Sequence, residues 1–452
     1  MYPKESFFKT VYNAYLKFRI SNSPQMNLVW GFFLYSIVGF VLLSIPLFHN
    51  QSVALIDSLF ISVSAISTTG LVTVGVTESY NWFGQFIILC LFQIGGVGYM
   101  TLTTYYLLLT TQKITHWHGR ILGAEFTVPD TIQIKDFLKS VVVFTLVMEL
   151  AGAIAFYFVF AHAGMAFWES VWFSVFHSVS SFCTAGFGLL PDSFESYHSN
   201  LALNMVVSVL ALSGSLGFIV VTDVWYKISG RSKALSFTTK IILVGILLFL
   251  FIGTCTVYFA EPLIYSQQQN TLLEAFFLTM SAMTTVGFNT IPTGELSLPI
   301  LLLVVFLMYV GASPSGTAGG MKITTFTAML AVLKSRLFGQ ERITFMHRII
   351  PFDRLYVATS TFMLYTSLIF LFTFLLSFTG DFRFEDMLFE VASALGTVGL
   401  GTGITDQLSV FGKVLIIILM FIGRVGVLTF GFAMLHRKFK EQELLKKEDL
   451  AC

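Results

Sequence analysis

Long and short apolar runs follow one another along this chain in a fixed order. Eight runs, near residues 27–48, 82–109, 138–160, 201–225, 239–260, 298–333, 354–378 and 411–435, can cross a bilayer core of about 30 Å, which takes roughly 20 residues of helix. Four shorter runs, near 56–67, 170–183, 272–284 and 385–396, lie within successive pairs and read as re-entrant or interfacial helices. The order long, short, long recurs four times. It predicts an all-α membrane protein of four tandem units, over 27–112, 135–229, 238–337 and 353–436. A cytoplasmic or interfacial segment (1–26) is expected before them and a cytoplasmic tail (437–452) after them.

Composition narrows the class. Of the 452 residues 55% are hydrophobic and only 11% charged, against about 25% charged in an ordinary soluble domain. The net charge of +1 gives no reason to expect nucleic acid as a partner. Cys90, Cys183, Cys255 and Cys452 are widely spaced and form no CxxC pair, so neither a metal cluster nor a disulfide framework is expected. The first twenty residues show no apolar core followed by a cleavage site. Lys and Arg are one-sided: 22 of the 26 lie before the first span, in or flanking the loops between units, or after the last span. The positive-inside rule therefore puts both termini in the cytoplasm of a multi-pass plasma-membrane protein, with the short runs dipping in from outside. Glu78, Asp192, Glu195, Glu261, Glu295, Asp381 and Asp406 fall on the outer loops. They are either solvated loop surface or a vestibule that attracts cations.

The four short runs are copies of one element. Aligned on Gly70, Gly186, Gly287 and Gly399, they carry Thr68, Thr184, Thr285 and Thr397 two positions earlier. Ser64, Ser180, Ser281 and Ser393 stand six positions earlier, and Phe60, Phe176, Phe277 and Phe389 ten earlier. Three copies have an acid thirteen earlier (Asp57, Glu274, Asp386) where the second has Phe173. Shared hydrophobicity cannot align Ser, Thr and Gly in this way; an internal repeat can. Phe and Ser, four apart, share a helix face, which is expected to pack on the flanking long helices.

After each short helix comes a Thr-x-Gly loop: Thr68-Thr69-Gly70-Leu71, Thr184-Ala185-Gly186-Phe187, Thr285-Val286-Gly287-Phe288 and Thr397-Val398-Gly399-Leu400. Irregular backbone at membrane depth is tolerated where it is buried in protein or lines water. Glycine reaches positive φ without steric cost, so successive carbonyls can turn toward one axis, and rings of carbonyls replace the hydration shell of K+. The C-terminal ends of four re-entrant helices add negative dipole ends that favour a cation. The fourth loop, continued by Gly401, differs by one residue from the Thr-Val-Gly-Tyr-Gly potassium filter. The pattern predicts helix–pore helix–helix repeats around one central ion pore, with K+ as the transported ion at these sixteen residues and no bound organic cofactor.

With these motifs, over about residues 25–437, the sequence resembles the Ktr/Trk/HKT superfamily of potassium transporters. It is most similar to the bacterial Ktr membrane subunit, because the chain opens directly on the first repeat. The resemblance implies potassium uptake across the cytoplasmic membrane, one filter glycine per repeat, a homodimer, and a separate cytosolic ring of nucleotide-binding regulatory subunits. Members with Ser at the first filter position tend to favour sodium; Gly at position 70 fits the potassium-accepting type. The basic loops and Arg437, Lys438 and Lys440 suit contacts with such subunits, or equally with anionic membrane lipid.

Two further features each admit two readings. The third inner helix is interrupted by Gly311-Ala312-Ser313-Pro314-Ser315-Gly316-Thr317-Ala318-Gly319-Gly320, followed by Met321 and Lys322. Gly and Pro at this density do not sustain an α-helix. The resemblance makes the segment a gating loop beneath the filter; otherwise it is a structural kink. Arg424 lies deep in the fourth inner helix, where a charge is costly unless it faces water or a partner. It either tunes passing cations and belongs to the gate, or forms a packing ion pair. Glu149 and His177 read as packing residues, and Asp223 as a local cap. The rival functions are a cation secondary transporter with alternating access, disfavoured by four repeats and few midplane charges, and a membrane enzyme, for which no catalytic motif is present.

Overall fold

The computed structural model describes residues 23–98, 101, 104, 133–266, 271–311 and 313–435. Its principal helices are numbered here in chain order. The first repeat is α1 (Pro24–Leu43), α2 (Leu55–Ile66) and α3 (Trp82–Val97). The second is α4 (Ile134–His162), α5 (Phe167–Phe182), α6 (Leu201–Ser215) and α7 (Phe218–Ile228). In the third, α8 (Phe237–Ala260) and α9 (Thr271–Thr284) precede α10 (Leu298–Tyr309) and α11 (Ile323–Leu337). The fourth is α12 (Phe352–Leu376), α13 (Phe384–Gly396), α14 (Val410–Val425) and α15 (Val427–Leu435). A two-stranded hairpin, Thr344–Phe345 with Arg348–Ile349, joins the third repeat to the fourth.

The outer helices α1, α4, α8 and α12 are each long and apolar enough to cross a membrane. They turn large apolar side chains outward, such as Leu146, Phe251 and Phe370, as a lipid-facing surface requires. Their inner faces carry small residues that allow close helix approach. A Cβ on Gly39, Gly152 or Gly253 would strike Ser62, Ser178 or Thr279, which share one column of the pore helices α2, α5 and α9. Polar caps start the inner helices: Asn81 accepts from the N–H of Phe83 and Gly84, Asn200 from Leu203, and Ser409 from Gly412.

The inner elements differ from the expectation of continuous spans. α6 and α7 meet at 89° and α14 and α15 at 99°. The breaks fall at Gly217 (φ 85°) and Gly426 (φ 93°), and α3 ends at Gly98 with the same φ of 85°. All three glycines close a Gly-x-(Val/Leu)-Gly tetrapeptide: 95–98, 214–217 and 423–426. Positive φ at its last residue ends one helix and starts the next at a steep angle. The first glycine of each tetrapeptide has its own constraint. A Cβ on Gly95, Gly214 or Gly423 would run into the carbonyl oxygen of Ile66, Phe182 or Leu395, each four residues before a filter glycine. Inner helix and pore-helix end are thus in backbone contact.

The repeats close into a ring. Each inner helix packs on its own pore helix and on that of the next repeat: α3 on α5, α6 on α9, α10 on α13, and α14 back on α2.

Candidate ion filter and the loop beneath it

The four Thr-x-Gly loops have one conformation. Thr68, Thr184, Thr285 and Thr397 all take positive φ, between 49° and 57°. The following residue, Thr69, Ala185, Val286 or Val398, returns its N–H to the carbonyl of the column serine at 2.8–3.2 Å. Each pore helix therefore ends in a left-handed cap built on threonine where glycine is usual. Then come Gly70, Gly186, Gly287 and Gly399 at φ 91°, 68°, 79° and 96°. Leu71, Phe187, Phe288 and Leu400 turn back into the core and are buried.

The column serine faces this loop, not the flanking helices as its shared face with Phe predicted. Ser64 donates to the Leu71 carbonyl at 2.7 Å and accepts from the Gly70 N–H at 3.1 Å. Ser281 donates to Phe288 at 2.5 Å, and Ser393 accepts from Gly399 at 3.1 Å. In these three repeats the serine hydroxyl six residues before the glycine ties the turn, whereas that of Ser180 has no hydrogen-bond partner among the described residues.

The glycines meet around one axis. A Cβ on Gly70 would collide with the Ala185 carbonyl, on Gly186 with that of Val286, on Gly287 with that of Val398, and on Gly399 with that of Thr69. Each loop thus offers its pre-glycine carbonyl to the glycine of the preceding repeat, and the fourth closes on the first. Outside this ring lies a cavity of about 730 Å³ lined by the four glycines and by Glu78, Asp192, Glu195 and Asp406. Glu195 accepts from the Asn289 side chain at 2.6 Å. Burial pushes its carboxyl above the usual range, with Asp192 and Glu295 adding to the rise and the Asn289 hydrogen bond opposing it. Glu261 belongs elsewhere: it is buried and accepts from the N–H of Leu263 and from both N–H and hydroxyl of Ser297, so it ties α8 to α10.

The interrupted segment of the third inner helix lies directly under the ring. Ser313 and Thr317 donate backbone N–H to the Ser215 and Gly214 carbonyls, at 3.2 and 3.1 Å. Ser315, at φ 63°, accepts from the N–H of Phe218 through its carbonyl and of Ile219 through its hydroxyl. Pro314 and Gly316 sit against Gly217 and Gly214, and Gly311 against Gly319 and Gly320. Two filter threonines reach down to the loop: Thr184 donates to the Thr317 hydroxyl at 3.2 Å, and Thr285 accepts from the Gly319 N–H at 2.9 Å. Lys322 folds back onto the Ala318 and Gly319 carbonyls at 2.6 and 2.9 Å. Ala312 lies outside the described residues.

Arg424 fastens the loop from the opposite side. One terminal nitrogen donates to the Thr317 carbonyl at 2.6 Å; the other donates to the carbonyls of Gly95 and, at 3.1 Å, Gly96. The guanidinium fork therefore joins the fourth repeat to the first and to the loop of the third through backbone oxygens. A cavity of about 280 Å³ opens below, lined by Gly96, Ser315, Ala318, Lys322 and Arg424 among others. Of the residues read as packing, Glu149 accepts from Gln93 at 3.2 Å and His177 is enclosed by aromatic rings. Asp223 accepts from the Ser236 N–H at 2.8 Å, a local cap as expected.

Four short pore helices, four left-handed threonines and a closed ring of glycines and carbonyls define a four-repeat helical protein of the polytopic membrane class. Sequence comparison agrees. The family model described as TrkH, cation transport protein, matches residues 34–445, and the chain belongs to that family. It is 35% identical over 426 residues to the potassium/sodium uptake protein NtpJ of Enterococcus hirae, covering 91% of this chain and 93% of that protein. With Ktr system potassium uptake protein B of Bacillus subtilis the identity is 33% over 418 residues, with the same coverage. The crystal structure of the potassium transporter TrkH from Vibrio parahaemolyticus superposes with a TM-score of 0.73 at 20% identity, covering 93% of this chain and 86% of that one.

Proposed function

We propose that this chain carries K+ into the cell across the cytoplasmic membrane, through the four-repeat filter and past the loop of residues 311–320 acting as a gate with Lys322 and Arg424. One observation carries the reading: the four filter glycines meet the carbonyls of their neighbours in a closed cycle, with vestibule carboxylates on one side and a loop fastened across the other. The names of the relatives, potassium uptake proteins and a potassium/sodium uptake protein, support the ion class. The Na+ in one of those names favours a second reading in which Na+ also passes. Membrane lipid surrounds the outer helices, and the one-sided Lys and Arg support cytoplasmic termini. The relatives named as Ktr system proteins support a multi-subunit assembly, which we read as a homodimer on a cytosolic ring of nucleotide-binding subunits. The test is unidirectional flux of K+, Rb+ and Na+ into proteoliposomes holding this chain alone. Saturable K+ and Rb+ flux well above Na+ flux is expected. Strictly coupled exchange with no unidirectional flux would replace the pore by alternating access.

A further inference from the structure

The filter ring has fourfold sequence signals, but what stands behind it is twofold. Nine positions before the filter glycine the repeats carry Ile61, His177, Leu278 and Glu390 in turn; two positions after it they carry Val72, Gly188, Asn289 and Gly401. A polar side chain behind the filter coincides with glycine after it in repeats two and four only, and these face each other across the ring.

The two features are adjacent in space. A Cβ on Gly188 would lie 3.6 Å from His177 Nε2, and one on Gly401 3.4 Å from Glu390 Oε2. Each buried polar group thus lies directly against its glycine position. His177 and Glu390 are both 0% exposed. His177 Nδ1–H donates to the Phe173 carbonyl at 2.8 Å, which leaves Nε2 to accept the Leu189 N–H at 3.2 Å, just beyond the filter of repeat two. Glu390 Oε1 accepts the Thr405 hydroxyl at 2.5 Å, while Oε2 has no hydrogen-bond partner among the described residues and lies beside Gly401.

A second set of bonds reaches the same two strands from the side. The Leu189 carbonyl accepts the Thr77 hydroxyl of repeat one at 2.7 Å, and the Gly401 carbonyl accepts the Thr293 hydroxyl of repeat three. The strand of repeat three is also held from the side, since Asn289 donates to Ser193 and Glu195 of repeat two and accepts the Phe194 N–H. Only the strands of repeats two and four combine a side tie with a buried polar group behind, among the described residues. A buried polar group costs free energy unless satisfied, so two of them behind the same ring call for a return.

We propose that His177 and Glu390 are a diagonal pair of positioning residues that hold the outer ends of the second and fourth filter strands and so set discrimination among monovalent cations. This rests on the filter reading above. K+ and Na+ differ in the carbonyl spacing they favour, and a strand held on two sides cannot relax toward the smaller ion.

The test uses the full chain in proteoliposomes, with K+ and Na+ flux per folded protein measured beside thermal stability. His177→Leu and Glu390→Leu copy the residue that repeat three already carries. Each is expected to lower the K+/Na+ flux ratio by about three- to tenfold, the equivalent of one lost hydrogen bond. Glu390→Gln keeps an oxygen for Thr405 and should hold the ratio within about twofold. Leu278→Met, in the aliphatic copy of the column, should leave it unchanged. If both Leu variants fold and keep the parent ratio, the proposal is overturned; an equal loss in Glu390→Gln or Leu278→Met overturns it too. Should the Leu variants not fold, Thr405→Val removes the hydroxyl donor from the vestibule side, and an unchanged ratio there is equally fatal. Gly70→Ser is measured in parallel. If it also leaves the ratio unchanged, it is the filter assignment that fails.

Discussion

A threonine at positive φ is unusual; four at equivalent positions make a design. Each costs of the order of 1 kcal/mol or more relative to an ordinary conformation and persists because its surroundings over-determine it. Here the over-determination is visible. The next N–H is bonded to the column serine's carbonyl in all four, and in the first and fourth repeats the serine hydroxyl holds the glycine that follows. In two of the four the hydroxyl gives threonine a use that glycine lacks: Thr184 and Thr285 use theirs to reach the loop below. The glycines admit less variation. Gly70 combines φ 91° with a neighbouring carbonyl in the space a Cβ would fill. Gly70→Ser should therefore displace Ala185, widen the ring on one side, and lower the K+/Na+ flux ratio by roughly tenfold, about 1.4 kcal/mol. Expression and detergent stability should change far less, because the strain is confined to one loop. A mutant with the parent ratio would remove Gly70 from the filter.

At the scale of elements, the three-part repeats were legible because two independent patterns coincide, hydrophobic run length and the Thr, Ser and Gly columns of the pore helices. What was not legible is where the inner helices break. A hydropathy window passes unaltered over a single glycine between two apolar helices, so 201–225 and 411–435 read as continuous although Gly217 and Gly426 turn the chain by 89° and 99°. The signal was present as a Gly-x-(Val/Leu)-Gly column across three repeats. In the third repeat the Gly- and Pro-rich segment replaces that column, and its composition did reveal the break. The contacts of Arg424 were also beyond the sequence, since its partners are backbone oxygens from two other repeats. They lead to a definite expectation. Charge-assisted hydrogen bonds contribute about 1.5–3 kcal/mol each, so Arg424→Ala and Arg424→Gln should loosen the loop and raise basal K+ flux about tenfold or more. Arg424→Lys keeps the charge, but one ammonium cannot replace the planar fork that spans Thr317 and Gly95, and it should fall between parent and Gln. Equal flux per folded protein across the series would reduce Arg424 to a packing residue.

For the whole molecule, a ring made from one chain has a seam, because the first and fourth repeats are joined by no direct connection. The structure secures it at two heights. Near the vestibule, Lys413 of α14 donates to Asp57 of α2 at 2.6 Å, and both side chains are almost enclosed at 13% and 12% exposure. Below the ring, Arg424 holds the Gly95 and Gly96 carbonyls. Asp57 is one of the acids at the column thirteen before the filter glycine. Glu274, in the same column, meets His198 of the second repeat at 2.7 Å, whereas Asp386 turns to the local Arg383. Among the described residues, the pair at the seam is the one of these three that is nearly dry on both sides. Removing one member of a buried pair leaves an uncompensated charge and costs up to about 3–5 kcal/mol, while replacing both by apolar groups of similar size is near neutral. Since these side chains keep some exposure, Asp57→Leu or Lys413→Met alone should cost somewhat less and lower the unfolding temperature clearly. The double variant should recover most of that loss. If the pair acts only as a fastener, the double variant also regains the parent's K+/Na+ flux ratio. If it instead fixes filter width through α2, stability returns and selectivity does not. Single variants with the stability of the parent would show that the seam is held by helix packing alone.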